Sequence, residues 1–460
     1  MRSFIETLRS VPAAALLIGV PLLAFSFSAK AQIATEPVLG LSQAVEMAIA
    51  TNPAAKAGET RVKIAEAKIR ETTAGKWPFA QFSQSAVRSN NPVYVFGSLL
   101  EQGRFGPSNF SIDSLNKPAG LFNFRTQFNA QMPIFDQRQT SSRVSQAEIA
   151  KKQAELMADA ALQRLRFDVV RSFYGVILGR ELIRVSDDAI GAAEANRKKV
   201  SDMVDVGMTT EADLLAADLE VATGIQRKIE AQSQLVNTIA SLNITTGTNA
   251  DRERALAGEL KEKFFPAADQ TEVIRLALES RPDYRCALLD VENSRVKTKA
   301  LRDMHLPRVD AFGNVGYSSP YIANGSSDYT VGVNLTYTLF DAGRKAREQQ
   351  AVEGVTLAAL ERDNLANQVR LDVIRAYQAF KTADARIRVS IKSIARAEEA
   401  LRITDDRYKA GLTTFSEVVR AGAALTGARQ DMLNSRYEFY IGYAGLLLAT
   451  GTLTDVRWFD

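Results

Sequence analysis

One cysteine and one histidine are all that 460 residues provide of the two side chains most used for thiol and imidazole chemistry. With Cys286 alone, no intrachain disulfide can form. His305 has no second imidazole or nucleophile constellation around it in the sequence, so a surface or packing role is expected. The two lie 19 residues apart, which matches no metal-ligand spacing. The glycine-rich stretches lack the Lys-Ser/Thr ending of a phosphate-binding loop. After Val11–Phe27 no run is long and apolar enough for a membrane-spanning helix. These absences predict a chain with no catalytic site, no cofactor and no metal, so any transport it serves must be powered elsewhere.

The apolar run that does exist sits at the start. Arg2 and Arg9 precede it, and Ala29-Lys30-Ala31 has the small-x-small form of a cleavage site. Residues 1–31 are therefore expected to be a signal peptide, with Gln32 starting the mature chain. Cys286 lies far from that site, so no lipid-anchored N-terminus is expected. Hydrophobic residues make up 46% and charged residues 24%, enough for a folded protein. The net charge of +4 is spread along helical patterns beside Asp and Glu. It reads as solvated helix faces and argues against nucleic acid as a partner.

What the sequence has in abundance is itself, twice. Gly207-Met208-Thr209-Thr210 returns as Gly411-Leu412-Thr413-Thr414, 204 residues later, and the offset holds without a gap from Asp168–Gly247 to Asp372–Gly451. Pro53 and Pro78 return as Pro282 and Pro307 in a second register of 229. The predicted organisation is a first repeat over 32–247, a connecting segment over 248–270, a second repeat over 271–451 and a tail over 452–460.

Within each repeat the period changes twice. Leu41–Lys76 reads as helix, interrupted near Asn52-Pro53 and stopped at Trp77-Pro78. A strand is expected over Phe79–Arg88 and a clearer one over Phe122–Ile134, where Phe122, Phe124, Phe128 and Met132 alternate with Asn123, Gln127 and Gln131. Between them Ser89–Gly120 reads as a loop rich in Gly, Asn, Ser and Pro. Arg138–Val206 is helical without a proline, and Glu211–Thr246 is a helix about half as long. Leu165, Val169, Phe173 and Val176 mark a buried seam that Val369, Val373, Tyr377 and Phe380 repeat. The second copy predicts a helix over Thr271–His305, strands over Arg308–Tyr317 and Tyr329–Leu339, and helices over Arg344–Ala410 and Phe415–Ala449.

Helices near 100 Å long need helical partners along their length. The strands have bilayer length and two unlike faces. Four of them cannot close, because small membrane barrels use about eight, and an open edge in lipid is not viable. A barrel must then be shared between chains. Two other classes share parts of the pattern. A coiled-coil surface or adhesion protein would not need two-faced strands, and a general porin would need more strands and no long helix.

The doubled helix-strand-strand-helix unit resembles the outer-membrane efflux protein (TolC) family. So do the strand-end motifs Ile134-Phe135-Asp136 and Leu339-Phe340-Asp341-Ala342-Gly343-Arg344 and the two Gly-x-Thr-Thr turns. The resemblance implies an α+β membrane protein. Its expected form is a homotrimeric 12-stranded β-barrel, four strands per chain, continuous with a long periplasmic α-helical tunnel. It implies a passive exit duct in the outer membrane, in contact with outer-membrane lipid, a periplasmic membrane-fusion (adaptor) protein and an inner-membrane pump.

Carried onto this chain, the resemblance makes Gly207, Met208, Thr209, Thr210, Gly411, Leu412, Thr413 and Thr414 the adaptor-docking tips. Helix capping alone would also account for the four threonines. It further implies a gate in which Asp213 hydrogen-bonds Tyr408 and three copies of Glu417 form an acidic ring. The family's arginine two residues past the second glycine is replaced by Thr413, and Arg420 stands where some members carry a second acid. Asp213 and Glu417 also suit their helix N-termini through the dipole. In 89–120, Val93-Tyr94-Val95-Phe96 and Leu99-Leu100 leave two readings open: a loop packed on its own rim, or a constriction of the outer mouth. Tyr317, Tyr321, Tyr329 and Phe122 near strand ends are candidate interface anchors.

Overall fold

The computed structural model describes residues 38–459 except 253, 262, 267, 322 and 323, so the expected signal peptide lies outside the described residues. In chain order the elements are α1 (Leu41–Thr51), α2 (Pro53–Ala74), β1 (Phe79–Ser89), α3 (Pro92–Glu101) and α4 (Ile112–Asn116). β2 (Leu121–Phe135), α5 (Gln139–Asp205) and α6 (Glu211–Thr245) complete the first repeat. The second runs α7 (Gln270–Ser280), α8 (Pro282–Asp303), β3 (Arg308–Ser319), β4 (Ser326–Thr336), α9 (Arg344–Lys409) and α10 (Phe415–Ala449).

Long helices are braced by short ones placed end to end. The 67-residue α5, roughly 100 Å long, lies along α2 and then α6. The 66-residue α9 lies along α8 and then α10. The joints are built alike. Asn52 precedes Pro53, and its side chain donates to the Thr245 carbonyl (3.0 Å), while the Thr51 hydroxyl donates to Thr246 (2.8 Å). At the equivalent joint Arg281 precedes Pro282 and donates to the Ala449 carbonyl (3.4 Å) and to Asp372 (3.1 Å). The continuous helix expected over Thr271–His305 is thus broken: Pro282 supplies no amide, and the residue before it is driven to extended backbone (Arg281 φ −66°, ψ 121°).

The core forms a girdle at this level. Val169, Phe173, Val176, Val369, Val373 and Phe380 are buried there from the two long helices, with Tyr440, Tyr443 and Ala444 of α10. The connection and the tail close over it. Phe265 stacks on Tyr443 (4.4 Å, 6°), Leu453, Val456 and Phe459 are buried, and the Tyr174 hydroxyl donates to the Phe459 carbonyl (2.5 Å).

The four strands form one antiparallel sheet in the order β1-β2-β3-β4. The register pairs Phe82 with Phe128, Phe128 with Val315, and Val315 with Tyr329. Directly paired residues share a face, so one side carries Phe82, Phe124, Phe128, Met132, Val315, Val331, Val333 and Leu335. The other carries Gln81, Asn123, Arg125, Gln127, Asn314, Asp328 and Asn334. One face is fit for lipid and one for water. Among the described residues, no helix is long and apolar enough to cross a membrane.

Two strand-region expectations change. β4 lies three residues earlier than expected, because the Asn324-Gly325 turn sets Ser318 opposite Ser326, and β3 ends its pairing at Arg308 opposite Thr336. Tyr337 and Leu339 therefore continue past the ladder. The stretch 89–120 is not all loop: Asn91 accepts from the amides of Val93 (3.0 Å) and Tyr94 (3.2 Å), Pro92 opens the first turn, and α3 follows.

The C-terminal ends of α5, α6, α9 and α10 use the same device. Gly207, Gly247, Gly411 and Gly451 have φ between +69° and +72°, and the following amide reaches five residues back, as from Met208 to Met203 (2.8 Å). Surroundings differ: a Cβ on Gly411 would meet nothing within 4 Å, whereas one on Gly451 would lie 2.7 Å from the Arg281 Cα. Gly411→Ala is therefore expected to cost about 1–2 kcal/mol of local backbone strain. Gly451→Ala should cost roughly 1–3 kcal/mol more through the added clash. Denaturant unfolding followed on the helices would show this order, and equal costs would contradict it.

Candidate functional site

At the end opposite the sheet, the two hairpins of one chain meet in a small cluster. Val200 of α5, Ala217 of α6, Tyr408 of α9, and Phe415 and Val418 of α10 are buried together. Tyr408 and Phe415 pack ring to ring at 5.6 Å. Lys199 and Asp405 tie α5 to α9 across the same seam (3.7 Å), and Lys409 holds Asp405 from its own helix (2.5 Å).

The turns project beyond this cluster. Val206, Met208 and Leu412 are 70%, 72% and 68% exposed, so each hairpin ends in an apolar knob on a glycine turn. Thr210 caps α6: its hydroxyl accepts from the Asp213 amide (3.4 Å). Thr414, at the equivalent position, makes no side-chain cap, which corrects the capping expectation for the second turn.

The Asp213–Tyr408 hydrogen bond implied by the resemblance is not made. The Asp213 carboxylate accepts from the hydroxyls of Thr209 (2.6 Å) and Thr210 (3.3 Å). The Tyr408 ring is turned into the apolar cluster, and its buried hydroxyl has no partner. Glu417 is paired within its own helix, to Arg420 at 3.3 Å, so part of its charge is balanced locally. Both side chains of that pair face solvent, where such a pair contributes about 0–1 kcal/mol.

Further along the hairpins, α5, α6, α9 and α10 line an open pocket of about 310 Å³ that includes Ala189, Ala192, Gly224, Leu401 and Gly422. Glu220 lines it, and burial pushes its carboxyl above the ordinary range. His305 stands exposed in the turn between α8 and β3, against the Arg302 carbonyl of α8. Among the described residues, no group of His, Cys, Asp and Glu is placed to hold a metal.

Sequence reasoning missed Phe415 as the piece that joins the hairpins. It is 2% exposed and bridges the only ring contact at the tip among the described residues. Phe415→Ala should cost roughly 3–5 kcal/mol. Because the loss falls on the seam, it should loosen the tip while leaving the girdle folded. Hydrogen exchange would then rise at 197–220 and 401–420 and stay slow around Phe173 and Tyr443. A uniform rise would contradict this.

The model of the family described as "Outer membrane efflux protein" matches residues 44–248 and 273–452. The outer membrane protein TolC of Vibrio cholerae is 23% identical over 337 residues, covering 69% of this chain and 75% of the relative. The protein CyaE of Bordetella pertussis is 22% identical over 426 residues, covering 90% and 84%. Among solved structures, the CmeC outer membrane channel of Campylobacter jejuni superposes with a TM-score of 0.75 at 18% identity, covering 90% of this chain and 85% of that one. The fold is that of the homotrimeric channels, with a 12-stranded barrel of four strands per chain above a helical tunnel. Both family spans fall on the two repeats, and on that match the chain belongs to the outer membrane efflux protein family.

Proposed function

We propose that this outer-membrane exit duct for efflux or type I secretion is passive, docks at its two glycine turns to a periplasmic adaptor serving an inner-membrane pump, and is gated at its tip. The observation that carries the duct is the sheet. One apolar face and one polar face, with both outer edges unpaired among the described residues, make sense only as a third of a closed, water-filled barrel. Single-channel recording tests it: the purified trimer should conduct and the monomer should not. Stable conductance from a species of monomeric mass would overturn the reading.

Docking is supported by the exposed knobs Met208 and Leu412, which nothing among the described residues covers. Their partner is an adaptor tip with a matching apolar surface. Thr209, Thr210, Thr413 and Thr414 offer hydroxyls around each knob. Gly207→Val with Gly411→Val should abolish adaptor capture while the trimer still inserts, since neither glycine touches another element. Unimpaired capture would show that the turns are not the docking surface.

For the gate, three copies of Glu417 converge where the tunnel narrows, and Arg420 offsets part of that ring. Asp213 and Tyr408 act separately: Asp213 stiffens the first turn through Thr209, and Tyr408 packs on Phe415 within the second hairpin, in the cluster that joins it to Val200 and Ala217 of the first. Arg420→Ala should raise cation preference and Glu417→Ala should lower it. Reversal potentials in a salt gradient read both, and an unchanged value in both variants would remove the acidic ring from the mechanism.

A further inference from the structure

The segment between β1 and β2 is fastened to the inside of the barrel wall. Residues Asn123, Arg125, Ser318 and Asp328 all lie on the polar, lumen-side face of the sheet, near its outer end. Arg125 binds Asp328 through two hydrogen bonds of 3.1 Å and Ser318 at 2.9 Å. Onto this group comes the end of α3. The Glu101 carboxylate accepts from Asn123 (3.2 Å) and Ser318 (3.4 Å) and lies 3.4 Å from Arg125. Gln102 donates to the Phe122 carbonyl (2.8 Å) and to Asn123 (3.1 Å). Asn123, Ser318 and Gln102 are all buried.

Helix α3 therefore crosses the sheet. It starts three residues after β1 ends, and Gly103, just beyond it, lies against Ser326 of β4. Its ten residues span about 15 Å, close to the ~14 Å width of four strands. The stripe Val95, Ser98 and Gln102 is buried against the wall. Val93 and Leu100 are 82% and 53% exposed, and at 100° per residue they sit on the opposite side of the helix. That side looks away from the wall, toward the barrel axis.

Closure about the threefold axis says what covers it. Twelve strands spaced ~4.8 Å apart and tilted ~40° make a wall about 12 Å from the axis. A helix ~10 Å thick on the inside of that wall brings its far side within a few ångströms of the axis. Two further copies arrive at the same place. We propose that the three α3 helices of the trimer meet at the barrel axis through Val93 and Leu100, forming an apolar plug of the outer mouth that the Glu101–Arg125 contact holds to the wall. The occupant of each exposed stripe is thus the same stripe of the other two copies. The inference rests on the trimeric duct proposed above and adds a second barrier at its far end.

An apolar constriction resists water and ions by dewetting. Release requires α3 to leave the wall, and the carboxylate of Glu101 is the removable part of the contact, since Arg125 keeps Asp328 without it.

Two measurements on the purified trimer test the plug. Cys286 is buried, so the parent protein gives the baseline for a Leu100→Cys variant treated with a short bis-maleimide. Cross-linked dimers are expected within the trimer. Ser85→Cys, on the lumen face of the wall where copies stand roughly 20 Å apart, should give none. Glu101→Gln should raise single-channel conductance about twofold or more. Conducting trimers without a Leu100 cross-link, or with wild-type conductance after Glu101→Gln, overturn the plug and leave the duct standing. Trimers that never conduct in any variant overturn the duct and the plug together.

Discussion

A backbone amide or carbonyl facing hydrocarbon without a partner costs several kcal/mol, and the rest of this molecule follows from avoiding that cost. Among the described residues, β1 and β4 each present one unpaired edge. Only further copies can cover those edges, and at four strands each, three copies give a barrel of twelve. A barrel made of three chains fixes what hangs from it. Every strand runs into a helix, so the helices must also close into a tube around the same axis. Their length is then tolerable because each long helix has α2 and α6, or α8 and α10, beside it throughout.

Duplication solves the matching problem. A long helix opposite two short ones needs a joint, and the joint occurs twice with the same parts. A proline opens the barrel-side helix, the residue before it bonds the last carbonyls of the tip-side helix, and a left-handed glycine ends that helix. The chemistry at the preceding residue differs. Asn52 serves the joint with an amide, whereas Arg281 adds ion pairs to Asp372 and Asp283. In both repeats the same glycine turn, used at the tips, is left open to solvent. One backbone geometry thus serves as a packed joint in the girdle and as a presented knob at the tip.

Much of this was legible because periodicity reports faces directly. The alternation of Phe122–Ile134 gave the lipid side of β2, and the repeated seam of Val169 and Val373 gave the buried side of the long helices. Errors arose where a single residue overrode a pattern. Pro282 broke a helix whose flanks are both helical in character. Asn91-Pro92 started a helix inside a stretch whose Gly and Ser content reads as loop. β4 was misplaced because a strand's ends are set by its partner's length, which no single strand reveals. The tip was hardest. Whether Asp213 turns to Tyr408 or to Thr209 depends on side-chain geometry at a few ångströms, and a hydroxyl four residues away is the nearer donor. The Asn-Pro pair before an apolar run was the available signal for α3.

The register of the sheet also constrains how the molecule comes into being. Phe124 pairs with Ser319, so the middle of the sheet joins segments almost two hundred residues apart in the chain. The α5–α6 hairpin, by contrast, closes through neighbours in sequence and can form as soon as its residues are available. Newly exported chain must therefore pass through a stage with paired helices and a β1–β2 ribbon whose phenylalanine face has neither lipid nor a second ribbon to cover it. Such a species is prone to self-association until the second half of the sheet covers it. Biogenesis, on this account, is paced by the synthesis of the second half and by encounter between three chains at the membrane.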